Sequence, residues 1–179
     1  MLRQVVTATI ELLAENGVAG VTVDAVAQRA GVNPTTIYRR WGSPQLLLLS
    51  AMQEELNIGG SPPDDTGTLR GDLRKFITRV HEYLRTPEGS AVIQATFIKS
   101  SVDRDVLRKY FANRFTMLGE MFERAKHRGE LPTDTDGGRF IEVTIGTVVF
   151  RLLLEHEPVD ADYIEWLIDF VLRGAGATP

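Results

Sequence analysis

The chain has 179 residues, of which 43% are apolar and 25% charged, and its formal net charge is −4. This composition is typical of one or two globular domains and excludes a disordered chain. The sequence has no cysteine, which excludes disulfide bonds, a thiol nucleophile and metal–thiolate sites. Its first residues enter an amphipathic helix without a long apolar run, which argues against a signal peptide, and we expect a cytoplasmic protein.

An apolar stripe predicts a first helix over residues 2–16, which ends at Gly17. The stripe recurs at helical spacing and consists of Leu2, Val5, Val6, Thr9, Ile10 and Leu13. We expect this helix to cover the inner faces of the next two helices, because a three-helix unit of this size is held together by mutual packing.

Residues 22–41 are predicted to form two short helices joined by a tight glycine turn, which is a helix-turn-helix. Thr22 is placed to accept a hydrogen bond from the free N–H groups of the first helix, and Gly31 adopts a left-handed turn at little cost. Asn33 is a favourable N-cap for the second helix. Pro34 fits the first position of that helix because a missing N–H is no loss there.

The second motif helix is predicted to have one packing face and one polar face. At about 100° per residue, Ile37 and Trp41 share the packing face. The polar face offers donors for phosphate oxygens and for base edges in a major groove, whereas a solvated helix surface is the alternative. The helix-turn-helix context favours DNA binding. The predicted DNA-binding residues are Thr22, Asn33, Thr35, Thr36, Tyr38, Arg39 and Arg40.

These residues resemble the tetracycline-repressor (TetR-type) family of transcriptional regulators. The resemblance is carried by Thr22-Val-Asp-Ala-Val-Ala, Ala30-Gly-Val, Thr36-Ile-Tyr-Arg-Arg-Trp and Ser43-Pro-Gln-Leu-Leu. It covers roughly residues 2–56, and the remainder matches the family only in its helical layout. The resemblance implies a dimeric, all-α, ligand-responsive repressor that binds double-stranded DNA.

Two positions depart from the pattern of that family. Pro44 stands where a lysine is usual, so one phosphate contact implied by the resemblance is missing. Arg40 stands where a tyrosine or histidine often precedes the aromatic residue, and its charge would replace the one lost at Pro44.

Breaker residues at 59–67 predict a hinge or boundary loop. The predicted domains are a DNA-binding domain, residues 1–45, and an effector-binding and dimerisation domain, residues 46–179, which contains this loop. Ser43 is predicted to cap a fourth helix that runs to about residue 57. Further helices are predicted at roughly 68–85, 88–100, 103–128, 137–155 and 160–173. No strand pattern competes, so we predict an all-α protein of about nine helices, with an N-terminal three-helix unit and a larger helical domain.

The predicted DNA-binding domain carries little excess charge. Its 45 residues contain four arginines and three carboxylates, a net charge of +1. Non-specific affinity for DNA comes mainly from phosphate neutralisation. We therefore expect binding to depend on a few well-placed contacts and on two subunits acting together.

The last two predicted helices are apolar over more of their circumference than one domain can cover. Residues 143–154 are apolar nearly all round yet too short to cross a bilayer, and the polar residues of the final helix form a single stripe. A second copy of these helices would complete a four-helix bundle, and burial within one chain is the alternative. The predicted homodimer interface consists of Gly146, Val149, Phe150, Tyr163, Trp166, Leu167 and Phe170.

The helices between residues 68 and 155 combine aromatic and methionine side chains with scattered polar ones. Such a pattern is typical of core packing and also of a pocket for a mostly apolar small molecule. The pocket candidates are Phe76, Tyr83, Gln94, Phe97, Phe115, Leu118, Phe122, Thr147 and Arg151. An arginine among apolar residues needs a partner, so Arg151 is predicted to meet either an acidic ligand or a carboxylate of the protein.

The sequence does not favour an enzyme. Its three histidines stand apart, and we find no serine elbow, metal-spaced histidine pair or phosphate-binding glycine motif. The acidic residues near 155–162 are explained by helix capping and the helix dipole, so no metal and no cofactor are expected. We predict a repressor that binds a palindromic operator as a dimer. The alternative is a helical small-molecule-binding or adaptor protein. That alternative leaves the polar face of the second motif helix unexplained.

Overall fold

The computed structural model describes residues 1–58, 64–97 and 118–177. These residues form nine α-helices and a short 3₁₀ turn and contain no strand, so the predicted all-α class is confirmed. The helices are α1 (Leu2–Asn16), α2 (Val23–Ala30), α3 (Pro34–Trp41), α4 (Pro44–Ile58), α5 (Leu69–Leu84), α6 (Pro87–Phe97), α7 (residues 118–127), α8 (Gly137–Leu153) and α9 (Ala161–Gly174). Parts of two predicted helices, residues 98–100 and 103–117, lie outside the described residues. None of the helices described is long and apolar enough to span a membrane.

The helix-turn-helix forms because the residues at its helix ends satisfy free backbone groups. Thr22 Oγ1 accepts a hydrogen bond from Ala25 N at 3.2 Å, and Asn33 Oδ1 accepts one from Thr35 N at 2.9 Å. Gly31 turns the chain between the two helices with φ 66° and ψ 33°, the left-handed region that glycine adopts without a steric penalty. The two predicted caps and the predicted glycine turn are confirmed.

The described residues fall into two compact units, and the first comprises residues 1–58 and 83–97. Its core forms where α1 packs against α2, α4 and α6. Ile37 and Trp41 add α3 to the same core. The packing face predicted for the second motif helix therefore contributes to the core of this unit.

Helix α4 belongs to the first unit. The Ser43 hydroxyl oxygen accepts a hydrogen bond from Leu46 N at 3.2 Å, which caps the helix as predicted. Leu47 and Leu48 are buried in the core that α1 shares with α4. The first unit thus extends beyond the DNA-binding domain predicted at residues 1–45, and a separate domain that ends at residue 45 stays a prediction.

The second unit comprises residues 64–82 and 118–177, and its helices pack mainly through apolar side chains. Phe122 of α7 meets Phe140 of α8 edge to face, with ring centroids 5.2 Å apart. Arg74 of α5 forms an ion pair with Glu165 of α9, and their hydrogen bond holds the pKa of Glu165 below its usual value. Both of these charged groups are well exposed, so the pair contributes less to stability than the apolar core does.

A buried carboxylate fixes the start of α5. Asp72 Oδ1 accepts hydrogen bonds from the backbone N and the hydroxyl of Thr66, both at 2.7 Å. Guanidinium nitrogens of Arg124 and Arg128 each lie 3.7 Å from the other carboxylate oxygen of Asp72. The buried negative charge therefore has two counter-charges, and these contacts connect the segment before α5 to the C-terminal end of α7.

Candidate DNA-binding site

Helix α3 has one buried side and one exposed side. Ile37 and Trp41 are 1% and 9% exposed, which fixes the helix to the core of the first unit. Thr35, Tyr38, Arg39 and Arg40 are exposed, and Thr36 is half-buried. The predicted division into a packing face and a polar face is confirmed, while the individual DNA contacts stay predictions.

Two positive charges on α3 are available to an anion. Within the described part of the chain, neither Arg39 nor Arg40 has a carboxylate partner. The guanidinium carbon of Arg40 lies 5.4 Å from the centroid of the Trp41 ring, a cation–π contact that keeps the charge at the surface. Exposed guanidinium groups without a carboxylate partner can donate hydrogen bonds to phosphate oxygens or to the edge of a guanine.

Thr22 and Asn33 have a structural task besides their predicted contact with DNA. Both are exposed, and the side-chain oxygen of each is used to cap a helix. The donor groups that they can offer a phosphate are therefore the Thr22 hydroxyl hydrogen and the Asn33 amide. Both stand at helix N-termini, where the helix dipole favours a nearby negative charge.

An ion pair between α1 and α2 uses one of the four arginines counted in the net charge of the first 45 residues. Arg29 donates two hydrogen bonds of 2.7 Å to the carboxylate of Glu15 and lies 3.8 Å from Glu11. The hydrogen bond from Arg29 holds the pKa of Glu15 below its usual value, so Glu15 stays ionised. The charge of Arg29 is thus balanced by α1, and Arg39 and Arg40 are left as the positive groups of α3. Sequence reasoning missed this pair because its members are 14 residues apart.

A second exposed surface lies on α8 and α9 and is apolar. Each of its large side chains is more than half exposed, and they are Val143, Phe150, Leu154, Trp166 and Phe170. On α9 the Trp166 ring centroid lies 5.4 Å from that of Tyr163 and 5.7 Å from that of Phe170. We call Val143, Phe150, Leu154, Tyr163, Trp166 and Phe170 the apolar face of the second unit. A cluster of exposed apolar side chains of this size indicates a surface for another molecule.

The apolar face differs in part from the interface predicted from the sequence. Leu167 is 1% exposed and lies in the core of the second unit, so we leave it out of the interface. Val149 is half-buried, and Gly146 is exposed, with no atom within 4 Å of a Cβ placed there. Val143 and Leu154 were missed, although their spacing from Phe150 places all three on one side of a helix and could have identified them.

The predicted pocket residues are divided between the two units. Phe76, Leu118 and Phe122 are buried in the second unit, whereas Tyr83 is half-buried and Gln94 exposed in the first unit. Gln94 donates a 2.8 Å hydrogen bond to the Ser90 hydroxyl. The side chain of Phe97 and the whole of Phe115 lie outside the description.

The two polar pocket candidates of α8 have partners within the second unit. The Thr147 hydroxyl donates to the carbonyl oxygen of Val143. Arg151 Nε donates to the carbonyl oxygen of Pro158 at 2.8 Å, and its guanidinium carbon lies 4.4 Å from the Tyr163 ring centroid. Within the described residues, Arg151 therefore has a backbone carbonyl and an aromatic ring as partners and no carboxylate, and the acidic ligand stays a prediction. The pocket itself stays a prediction.

Among the acidic residues at 155–162, Asp160 caps α9 and Asp162 lies in its first turn. Asp160 accepts a 2.9 Å hydrogen bond from Tyr163 N, which begins α9 as the capping interpretation predicted. In the part of the chain that the structure describes, no three histidine, aspartate or glutamate side chains are grouped so that they could hold a metal ion.

Comparison with known proteins identifies the class to which this arrangement belongs. The model of the bacterial regulatory proteins of the tetR family matches residues 5–51, and that of the tetracyclin repressor-like C-terminal domain matches residues 63–171. The HTH-type transcriptional regulator AqdR of Rhodococcus erythropolis is 39% identical over 152 residues, which cover 82% of this chain and 70% of AqdR. The crystal structure of the TetR family transcription regulator SCO0332 has a TM-score of 0.76 and 30% identity, over 97% of each chain.

The fold alone is shared with a more distant structure, the transcriptional regulator FadR of Bacillus subtilis in complex with stearoyl-CoA. It is 20% identical with a TM-score of 0.70, over 97% of this chain and 96% of that one. The family models and the nearer relatives show that the chain belongs to the TetR family of transcriptional regulators. It is therefore a ligand-responsive DNA-binding regulator and not an enzyme.

Proposed function

We propose that the chain is a homodimeric repressor that binds a palindromic operator through α3 and releases it when a mostly apolar small molecule binds to its C-terminal domain. The observation that carries this proposal is the two-sided character of α3. Ile37 and Trp41 fix the helix to the core, while Tyr38, Arg39 and Arg40 project from it. A helical adaptor protein would have no need of this exposed set of donors.

The apolar face supports the dimer. Trp166 and Phe170 are 54% and 58% exposed in the single chain, and burying such rings against a second copy is favourable by about 25 cal/mol for each Å² removed from water. A contact between two identical faces generates a two-fold axis, which presents two copies of α3 to DNA. A two-fold symmetric protein reads a palindromic operator whose half-sites lie about 34 Å apart, or a multiple of that distance.

The small net charge of the N-terminal region supports the need for two subunits. The Arg29 guanidinium forms an ion pair with Glu15, so few positive groups remain to contact DNA in each protomer. Once one α3 of the dimer has bound its half-site, the second α3 binds the other half-site at a high effective concentration. This raises the affinity of the dimer for the operator without any additional contact per protomer.

The proposed effector acts through linkage. An effector that binds the DNA-incompetent state more tightly lowers the operator affinity by the ratio of its two affinities, and the operator lowers effector affinity by the same factor. The apolar pocket candidates of the second unit, Phe76, Leu118 and Phe122, support a mostly apolar molecule. The location in the cytoplasm remains a prediction.

Compounds that stabilise the protein should also release it from its operator. At one hundred times its dissociation constant, an effector should raise the free energy of unfolding by about 2.7 kcal/mol. For a chain of this size, that corresponds to an increase in Tm of roughly 5–10 °C. The experiment screens a library of small apolar compounds by thermal unfolding of the full chain, then measures operator affinity with each stabilising compound. The proposal of a releasing effector is contradicted if every stabilising compound leaves operator affinity unchanged.

A further inference from the structure

We infer that the exposed surface of α3 is divided between base reading and phosphate contact. Thr35 and Arg39 form a base-reading ridge, and Tyr38 and Arg40 form phosphate-contacting flanks on its two sides. The inference rests on the proposed operator binding and assigns a separate task to each of the two neighbouring arginines.

The division follows from the direction in which each side chain leaves the helix. Successive residues are about 100° apart around an α-helix, and the mean direction of Ile37 and Trp41 defines the buried side. Arg39 then points about 180° away from the buried side, while Tyr38 and Arg40 point about 80° from it on opposite sides. Thr35 is four residues before Arg39 and lies near the same line. All four of these side chains are exposed.

The dimensions of the major groove turn these directions into contacts. An α-helix with its side chains is about 10–12 Å in diameter, and the major groove is about 12 Å wide. A helix that fills the groove has its outermost line of residues at the base edges and its two sides next to the sugar–phosphate walls. The ridge therefore meets bases, and the two flanks meet phosphates of opposite strands.

The surroundings of the two arginines agree with this division. The Arg40 guanidinium is drawn towards the Trp41 ring, with 5.4 Å between the guanidinium carbon and the ring centroid. This contact turns Arg40 towards the buried side of α3 and away from the ridge. Arg39 has no carboxylate partner in the described residues and stands at the centre of the exposed side.

The two residues of the base-reading ridge also indicate which bases they contact. The planar fork of an arginine matches the O6 and N7 acceptors of guanine, so Arg39 is assigned to a guanine in each half-site. Thr35 is one helical turn away, about 6 Å along the axis, which corresponds to roughly two base-pair steps. Thr35 is therefore assigned to a second base pair about two steps from that guanine, through its hydroxyl or its methyl group.

The test compares Arg39→Ala, Arg40→Ala, Arg39→Lys and Arg40→Lys in the full chain. Operator affinity is measured over about 50–200 mM salt, and against operators in which each base pair is replaced in turn. Both Arg39 variants and Arg40→Lys should unfold at the wild-type temperature because both positions are exposed, whereas Arg40→Ala should unfold slightly below it because it loses the cation–π contact with Trp41. The lysine variants keep the charge but lose the planar fork, so they separate charge from base recognition even if an alanine variant folds poorly.

Arg39→Ala and Arg39→Lys should both lose about 10- to 100-fold discrimination at one base pair per half-site, and both should keep nearly the wild-type salt dependence. Arg40→Ala should weaken binding to all operators alike and reduce the slope of log affinity against log salt by about 2 for the two subunits. Arg40→Lys should behave like the wild type. The inference is overturned if the two alanine variants act alike, or if Arg40→Ala is the one that relaxes a base preference. If the wild type prefers no sequence at all, the proposed operator binding fails instead.

Discussion

The substitution Trp166→Glu is expected to convert the dimer into monomers and to weaken operator binding by about 10²–10⁴-fold, the advantage that two linked binding units have over one. Trp166 is the middle ring of the aromatic series on α9, and it is 54% exposed in the single chain. A glutamate in its place would carry a charge into an apolar interface without a partner. The folded protomer should persist, because Trp166 is not part of the core of the second unit.

The measurement is sedimentation of the wild type and the variant at micromolar concentration, followed by operator binding. Thr133→Glu is the matched control, since it adds the same charge at an exposed loop position outside the apolar face. The control should sediment as a dimer and bind the operator as the wild type does. A wild-type monomer at this concentration, or a Trp166→Glu dimer with full operator affinity, contradicts the proposed interface.

Trp41→Ala should lower the free energy of unfolding by about 3–5 kcal/mol and should also weaken operator binding. Trp41 is 9% exposed and belongs to the core cluster that joins α3 to α1 and α4. Its removal leaves a cavity behind the helix that is proposed to enter the groove, and it also removes the ring on which the Arg40 guanidinium lies. Total stabilities of folded proteins are about 5–15 kcal/mol, so the loss is a large fraction.

Urea unfolding of the full chain measures this loss. Trp41→Phe is the matched control, because it keeps an aromatic ring at the same place and should cost much less stability than the alanine variant. A loss below about 1 kcal/mol for Trp41→Ala would show that α3 is not held by this side chain.

The features that the sequence predicted well are those determined by neighbouring residues. Thr22, Asn33 and Ser43 each cap a helix through a backbone N–H two or three residues ahead, so the identity of the cap and its position suffice. The turn at Gly31 was also predictable, because the left-handed backbone conformation depends mainly on the residue that adopts it. The two faces of α3 follow from the helical period together with Ile37.

The features that the sequence did not predict depend on contacts between distant residues. Arg29 and Glu15 were both counted in the net charge of the N-terminal region, but their ion pair between α2 and α1 was not predicted. Arg151 was predicted to meet an acidic ligand or a carboxylate of the protein, and its hydrogen bond to the Pro158 carbonyl in the segment before α9 was not predicted. Leu167 could not be assigned to the core instead of the interface, because α9 is apolar over most of its circumference and the helices that pack against it decide which residues are covered.

Selection of bound DNA from a random pool by the full-length chain tests the central claim most directly, because it requires sequence recognition and a two-fold symmetric protein at the same time. We predict an enriched sequence made of two inverted half-sites with a guanine in each, whose centres lie about 34 Å apart or a multiple of it. An enriched sequence without two-fold symmetry, or a pool that shows no enrichment at low salt, would contradict the account of a symmetric dimer that reads its operator through α3.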